Sequence, residues 1–232
     1  MKIIDTVRSF LPHVAPVPLA EKIRAGLAGG LAIFLLALTI KYLPQNNYPL
    51  PMLASMAASA FLLFAVPHSP LAQPWNLIGG HFISAIAGWI CILLIPDPVL
   101  SAGVGVGLAI FLMHYLNCLH PPGAATALTL ILSSTQYQNM GLKWVMFIVM
   151  INAGISLVLA LVINNLLPGR QYPMRNTPPA PHKPGPFIPL EKEDLELALI
   201  QMEGVIDISE EDLAQIYEFA TQNAQKRTAK KA

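Results

Sequence analysis

The chain has 232 residues, 54% of them hydrophobic and only 12% charged, with a formal net charge of +1. The charged share is about half that of an ordinary globular domain, and between Ala25 and Gly169 the only charged side chains are Lys41, Asp97 and Lys143. So long a stretch with so little polar surface excludes a soluble fold; the bulk charge says nothing about nucleic acid, and no basic patch of that kind is seen, so no nucleic-acid partner is expected.

In chain order, residues 1–22 read as a cytoplasmic N-terminal segment. They have no continuous apolar run and no small-residue cleavage site ahead of the first span, which argues against a removable signal peptide. A helix needs about 20 apolar residues to cross the hydrocarbon core. Segments 23–43, 75–95, 99–119 and 144–167 meet that length. Segments 52–66 and 123–132 are short and bounded by proline, so they are short helices or re-entrant pieces inside the bundle. Either reading gives an even number of crossings, four or six, and puts both termini on one side. Lys2, Arg8, Lys22 and Arg24 precede the first span, and Arg170 and Arg175 follow the last, so the positive-inside rule places both ends in the cytoplasm.

The predicted fold class is therefore all-α: a polytopic membrane bundle of four full spans plus two short or re-entrant helices, with a small cytoplasmic helical tail. Residues 169–189 (GRQYPMRNTPPAPHKPGPFIP) are proline-rich and predict an extended linker. In 190–232, KEDLELALIQM and SEEDLAQIYEF predict two short amphipathic helices. The second opens on Ser209 and Asp212, which resemble a capping box, and sets Leu213, Ile216, Tyr217 and Ala220 on one face. A pair this small needs a neighbour or partner to dock on.

Polar residues inside the apolar region concentrate at two proline-broken places. In LNCLHPPGAATAL (116–128), Pro121 biases His120 away from helical geometry, Pro122 suits a first helical position, and Gly123 allows close approach. A helix starting at Pro122 with its amides exposed would be an anion site, with His120, Asn117, Gly123, Ala124 and Thr126 beside it. Irregular backbone at membrane depth is tolerated only where it is buried in protein or lines a cavity. In AVPHSPLAQPWNL (65–77), His68, Ser69, Gln73, Trp75 and Asn76 would supply the other side of the site. A cation site would want carboxylates or rings of carbonyls, whereas this region has no Glu and Asp97 as its one Asp.

The plainer reading of His120 and His68 is that each bonds a loop carbonyl and fixes its turn. His81 and His114, alone on apolar helices, read as structural hydrogen-bonders. Asn152 reads as a bond to another helix. The glycine runs at 26–30, 79–88 and 103–107 read as close-packing surfaces, and Asp97 between two prolines as a tight turn. Cys91 and Cys118 have no CxxC pattern and read as reduced packing thiols. The histidine spacings match no metal-ligand motif, and no nucleophile–base pair or paired carboxylates occur. No metal, no cofactor and no catalytic residue is expected, and the chain is not read as an enzyme.

Split as three plus three segments, each half has a short middle element, and Lys41-Tyr42-Leu43 resembles His114-Tyr115-Leu116. That register implies inverted repeats. A competing register pairs His68-Ser-Pro-Leu-Ala with His120-Pro-Pro-Gly-Ala.

The run HPPGAATAL from His120, with the motif His120-Pro121-Pro122, the run PHSPLAQPWN over 67–76 and RQYP over 170–173 resemble the HPP family of integral membrane proteins across residues 15–175. The EDLxxAL and EDLxxIY tail resembles an extension of bacterial members. The resemblance implies an HPP transmembrane domain at 23–168 with four spanning helices, which favours re-entrant short segments. It also implies nitrite transport, in which plastid and cyanobacterial members are implicated. The expected function is therefore a transporter or channel for nitrite or a similar small inorganic anion in the inner membrane, self-associating as a homo-oligomer in the lipid bilayer. If transport is proton-linked, a histidine must carry the proton. The alternative is a membrane-embedded sensor or scaffold that signals through its C-terminal helices.

Overall fold

In lipid a chain must satisfy its backbone polar groups internally, and helices do so within one segment. The computed structural model describes residues 17–43, 50–174 and Tyr217. Those residues form seven α-helices and a 3-10 turn at Pro70–Ala72, with no strand among them. The helices are α1 Leu19–Tyr42, α2 Ser55–Ala65, α3 Pro74–Leu94, α4 Pro98–Tyr115, α5 Pro121–Leu132, α6 Ser134–Met140 and α7 Leu142–Leu166. Of these, α1, α3, α4 and α7 are long and apolar enough to cross a membrane, and α2 and α5 are the shorter apolar helices. The all-α polytopic bundle read from the sequence is the fold. The linker beyond residue 174 and the tail at 190–232, Tyr217 apart, lie outside the described residues, as do residues 1–16 and 44–49.

Proline opens α3, α4 and α5, at a position where the missing N–H has no intrahelical use. The turn at Asp97 is also a cap: its carboxylate accepts from the Leu100 N–H at 2.7 Å. α4 ends at Tyr115, earlier than the sequence suggested, because Asn117 takes a left-handed φ of 51° and unwinds the chain ahead of His120. α6 and α7 are separated by Gly141 alone, at φ 78° and ψ 156°, a conformation open essentially only to glycine.

Chain direction decides how the short segments run. Glu21, Phe64, the 72–76 stretch, the 116–119 stretch and Arg170–Met174 are joined to one another by hydrogen bonds at one end of the bundle. α7, 25 residues and about 38 Å long, ends there, so its start lies at the far end. α5 begins at the near end and connects through α6 to that far start, so α5 and α6 together cross the bundle. α1 likewise ends at the far end, and the described residues 50–65 run toward Phe64 at the near end. The described residues therefore run along the bundle six times, four times as one long helix and twice in broken pieces. The re-entrant alternative is not the path taken. Three traversals per half run the two halves in opposite senses, the direction an inverted repeat requires.

α3 is the most enclosed span and packs most extensively on α5, then on α4 and α7; α2 packs on α5 and α7. Glycines permit this closeness. A Cβ at Gly88 would meet the Ala127 backbone at 3.0 Å, and one at Gly79 would meet the Cys118 Cβ at 2.9 Å. Gly26, Gly30, Gly103 and Gly107 have open space instead, so only part of the glycine pattern serves packing within this chain. α1 buries a single i, i+4 stripe, Ala28, Ala32, Leu36 and Ile40, while Leu27, Phe34 and Leu38 face outward, as lipid contact allows. Both cysteines are free and buried.

Asparagines on α7 hold the backbone of the second traversal, ahead of α2 and in its last turn. Asn152 accepts from the Leu53 N–H at 3.1 Å and donates to the Pro51 carbonyl at 3.1 Å. Asn164 donates to the Leu63 carbonyl at 3.0 Å. Asn152, expected to bond to another helix, instead bonds to the non-helical backbone ahead of α2.

Candidate functional site

The HPP break works by turning His120 inward. His120 sits at the N-cap of α5 in extended geometry (φ −140°, ψ 98°), and its imidazole is fully buried. Nδ1 lies 2.8 Å from the Leu71 carbonyl oxygen on the 3-10 turn, and Nε2 lies 3.0 Å from the Ser59 hydroxyl on α2. Ser59 Oγ is 2.9 Å from Nε2 of His81 on α3, and His81 Nδ1 is 2.8 Å from Thr126 Oγ1 on α5. Thr126 Oγ1 in turn lies 2.8 Å from Ser55 Oγ at the start of α2. The two imidazoles meet edge to face, centroids 5.0 Å apart. Ser59, His81, His120 and Thr126 are completely inaccessible, and a continuous hydrogen-bonded chain of hydroxyls and imidazoles runs inward from the loop end of the bundle.

The sequence-predicted residues fall into three groups. His120, Thr126 and Gly123 come together in this centre, Gly123 as a contact surface: its Cβ direction points 2.7 Å from the Gly80 carbonyl oxygen. Ser69, Gln73, Trp75 and Asn76 pin loops. Ser69 Oγ accepts from the Leu71 N–H at 3.2 Å, and Gln73 donates to the Pro67 and Ser69 carbonyls at 3.1 and 2.9 Å. Trp75 Nε1 donates to the Leu116 carbonyl at 3.3 Å, and Asn76 to the Leu119 carbonyl at 2.8 Å. Asn117 is exposed, while His68 and Ala124 are half-buried. The exposed amides expected at the start of α5 are not found at its first three positions. Helix starts at Pro121, Pro121 and Pro122 carry no N–H, and the Gly123 N–H donates to the His120 carbonyl at 2.7 Å. The donors offered to a ligand are therefore side chains.

Sequence reasoning missed Ser55 and Ser59 and took His81 as an isolated structural histidine. The i, i+4 serines of SMAASAF and the ionisable residue on an apolar span were the available signals. Among the described residues no group of histidines, cysteines and carboxylates is arranged to hold a metal ion.

Among the described residues, an all-helical bundle with four long apolar helices around a buried polar centre of hydroxyls and imidazoles defines a polytopic α-helical membrane protein. The chain belongs to the HPP family: the family model described as "HPP, transmembrane region" matches residues 14–173. It is 39% identical over 165 residues to one transmembrane protein of Dictyostelium discoideum, across 68% of this chain and 57% of that protein. A second transmembrane protein of that organism is 36% identical over 152 residues, across 64% of this chain and 49% of its own length. The chain thus spans about half the length of these curated relatives. No solved structure matches it.

Proposed function

We propose that this HPP-family protein moves a small monovalent inorganic anion, nitrite by the family resemblance, across a bacterial inner membrane, with both termini cytoplasmic. The observation that carries the reading is the buried chain His120–Ser59–His81–Thr126–Ser55, where the two broken traversals meet against α3. Hydroxyls and imidazoles can turn N–H and O–H donors toward an anion, and among the described residues no carboxylate is bonded to this chain. Sites at broken helices between repeat halves are the usual arrangement of secondary transporters. The centre is closed to solvent, so an ion reaches it only after a movement, which favours a carrier over an open channel. The exposed glycines of α1 and α4, with space beyond them, support self-association.

The test is nitrite flux into proteoliposomes carrying purified protein, with nitrate, formate and chloride as competitors and His120→Ala and Thr126→Val as controls. Saturable flux that prefers nitrite and falls in both variants supports the reading. Absence of flux of every small anion, from protein shown to be folded, overturns it and favours the sensor or scaffold. Single cysteines at Lys143 and Gln171 report orientation: labelling from opposite faces, with Gln171 on the cytoplasmic side, is expected.

A further inference from the structure

With both histidines neutral, only one placement of the hydrogen atoms makes every contact of the buried chain a hydrogen bond. A carbonyl oxygen can only accept, so the Leu71 contact requires a hydrogen on His120 Nδ1. Neutral His120 then has a bare Nε2, which needs a donor, and the Ser59 hydroxyl at 3.0 Å is the group facing it. Ser59 has one hydrogen. Once that is given to His120, His81 must present Nε2–H to Ser59 across 2.9 Å, because two lone pairs at that distance would repel. His81 Nδ1 is then bare and accepts from Thr126 at 2.8 Å, and Thr126 accepts from Ser55 at 2.8 Å. Every donor points the same way, from Ser55 to Leu71.

We infer that this chain is a directional proton relay, in which Ser59 passes a proton between His81 and His120. The inference deepens the anion-transport reading and rests on it only for the coupled ion. A proton arriving on His81 Nδ1 makes His81 an imidazolium. The His81 Nε2–H bond then breaks as a new H–O bond forms on Ser59, while the former Ser59 O–H bond breaks and its proton bonds to His120 Nε2. No charge is left on the serine, and one positive charge has moved from ring to ring. His120 cannot pass it to the Leu71 carbonyl, so release requires the ring to leave that carbonyl or the turn to open. Ser59 also has a second acceptor, the Ser55 carbonyl at 3.3 Å, to which its hydroxyl can turn when His120 Nε2 is protonated.

The surroundings suit a mobile proton. Toward the pair, α2 presents Ser55 and Ser59 and α5 presents Thr126, none of them ionisable, while the buried Asn152 and Ser156 of α7 bond to Leu53, Pro51 and Met56 instead. On the 116–120 stretch Cys118 packs on Gly79, and His114 on α4 is exposed. At the loop end, His68 is half-buried, the Tyr172 hydroxyl is held on the Ala72 carbonyl, and Arg170 is held on the Phe64 carbonyl and paired with Glu21. Among the described residues no carboxylate is bonded to the pair to trap the imidazolium, while an anion bound beside it would neutralise it, which makes entry of the two together cheaper than entry of either alone.

The experiment uses full-length protein in vesicles with a lumenal pH-sensitive dye and the membrane potential clamped by valinomycin and potassium. A nitrite gradient, and separately a bare pH gradient, drives wild type, Ser59→Ala and Ser59→Thr. Wild type is expected to move protons, Ser59→Ala to slow this about a hundredfold, the scale of a lost positioned proton-transfer group, and Ser59→Thr to recover most of it. Nitrogen-15 magnetic resonance on the wild type in bilayers should show neutral His120 protonated on Nδ1 and neutral His81 on Nε2. Proton movement at wild-type rate in Ser59→Ala, or the opposite tautomer in either ring, overturns the relay. Nitrite flux without proton movement overturns the relay and leaves the anion reading standing. Serine-dependent dissipation of the bare pH gradient without any nitrite flux supports the relay and overturns the anion reading.

Discussion

Gly123 on α5 lies so close to Gly80 on α3 that a Cβ on Gly123 would stand 2.7 Å from the Gly80 carbonyl oxygen and 2.9 Å from Ser84 Oγ. In the other direction, a Cβ on Gly80 would stand 2.5 Å from the Cβ of His120. The glycine after the HPP motif thus sets how near the histidine-bearing break comes to the helix that carries His81.

Substitution at this contact should be costly. Neither backbone carbonyl nor histidine Cβ is the free end of a flexible side chain, so Gly123→Ala and Gly80→Ala must push helices apart. The expected loss is about 1–3 kcal/mol each, with the His81–His120 contact disturbed. Gly103→Ala, at a position with open space, should be neutral or stabilising by up to about 1 kcal/mol from helix propensity. Thermal unfolding of the three variants in one detergent checks the contrast.

Asn152→Leu should destabilise through backbone rather than through packing. The variant leaves the Leu53 N–H and the Pro51 carbonyl without their partner in a region where water does not replace it. A loss of about 1–2 kcal/mol is expected, the upper range for such bonds in membranes. Reversible unfolding in mixed micelles measures it; an unchanged free energy would show that the 50–54 backbone is held by its apolar contacts alone.

Arg170 ties α1 to the end of α2. Its guanidinium pairs with Glu21 and donates to the Phe64 carbonyl at 2.9 Å and to Asn164 Oδ1 at 3.1 Å, with 4% of the side chain exposed against 19% for Glu21. Glu21→Gln leaves a buried cation without its counter-charge. Because Glu21 retains some solvent, the cost should be about 2 kcal/mol, below the range for fully buried pairs. The Glu21→Gln/Arg170→Gln double variant should lose less than the sum of the single variants, and a double-mutant cycle by chemical denaturation reads the difference.

Tyr172 makes stability sensitive to alkaline pH. Its hydroxyl donates to the Ala72 carbonyl at 2.8 Å, and burial raises its pKa above the usual phenol value. The unfolded chain ionises this group from about pH 10 while the folded chain does not. The stabilisation is therefore complete below that pH and lost as pH rises above it. Tyr172→Phe should cost about 1 kcal/mol at neutral pH and show a flatter decline above pH 10. Melting temperatures across pH 8–11 for both proteins check the sign.

Much of this arrangement is written locally. Apolar length marks the four long spans, and prolines at 74, 98 and 121 open the helices they precede or begin, because a proline acts on its own turn. His120 and Thr126 stand out as polar groups beside a break. Other features are invisible along the chain. The amides of the α5 start were expected to be free, yet the two prolines and the Gly123 turn leave none there. Gln73 and Asn76 looked like ligand donors and are occupied by the Pro67, Ser69 and Leu119 carbonyls.

By itself, the sequence determined that this is a helical membrane protein of the HPP family with a broken helix at residues 116–122, because hydrophobic length and proline geometry depend on neighbouring residues alone. Only the tertiary structure decided that the short segments cross the bundle and that His120 meets Ser59 and His81, residues 61 and 39 positions away. Those partners are chosen by which helix faces come into contact, and that choice depends on glycines and asparagines of other segments packing together, not on anything adjacent to the histidine.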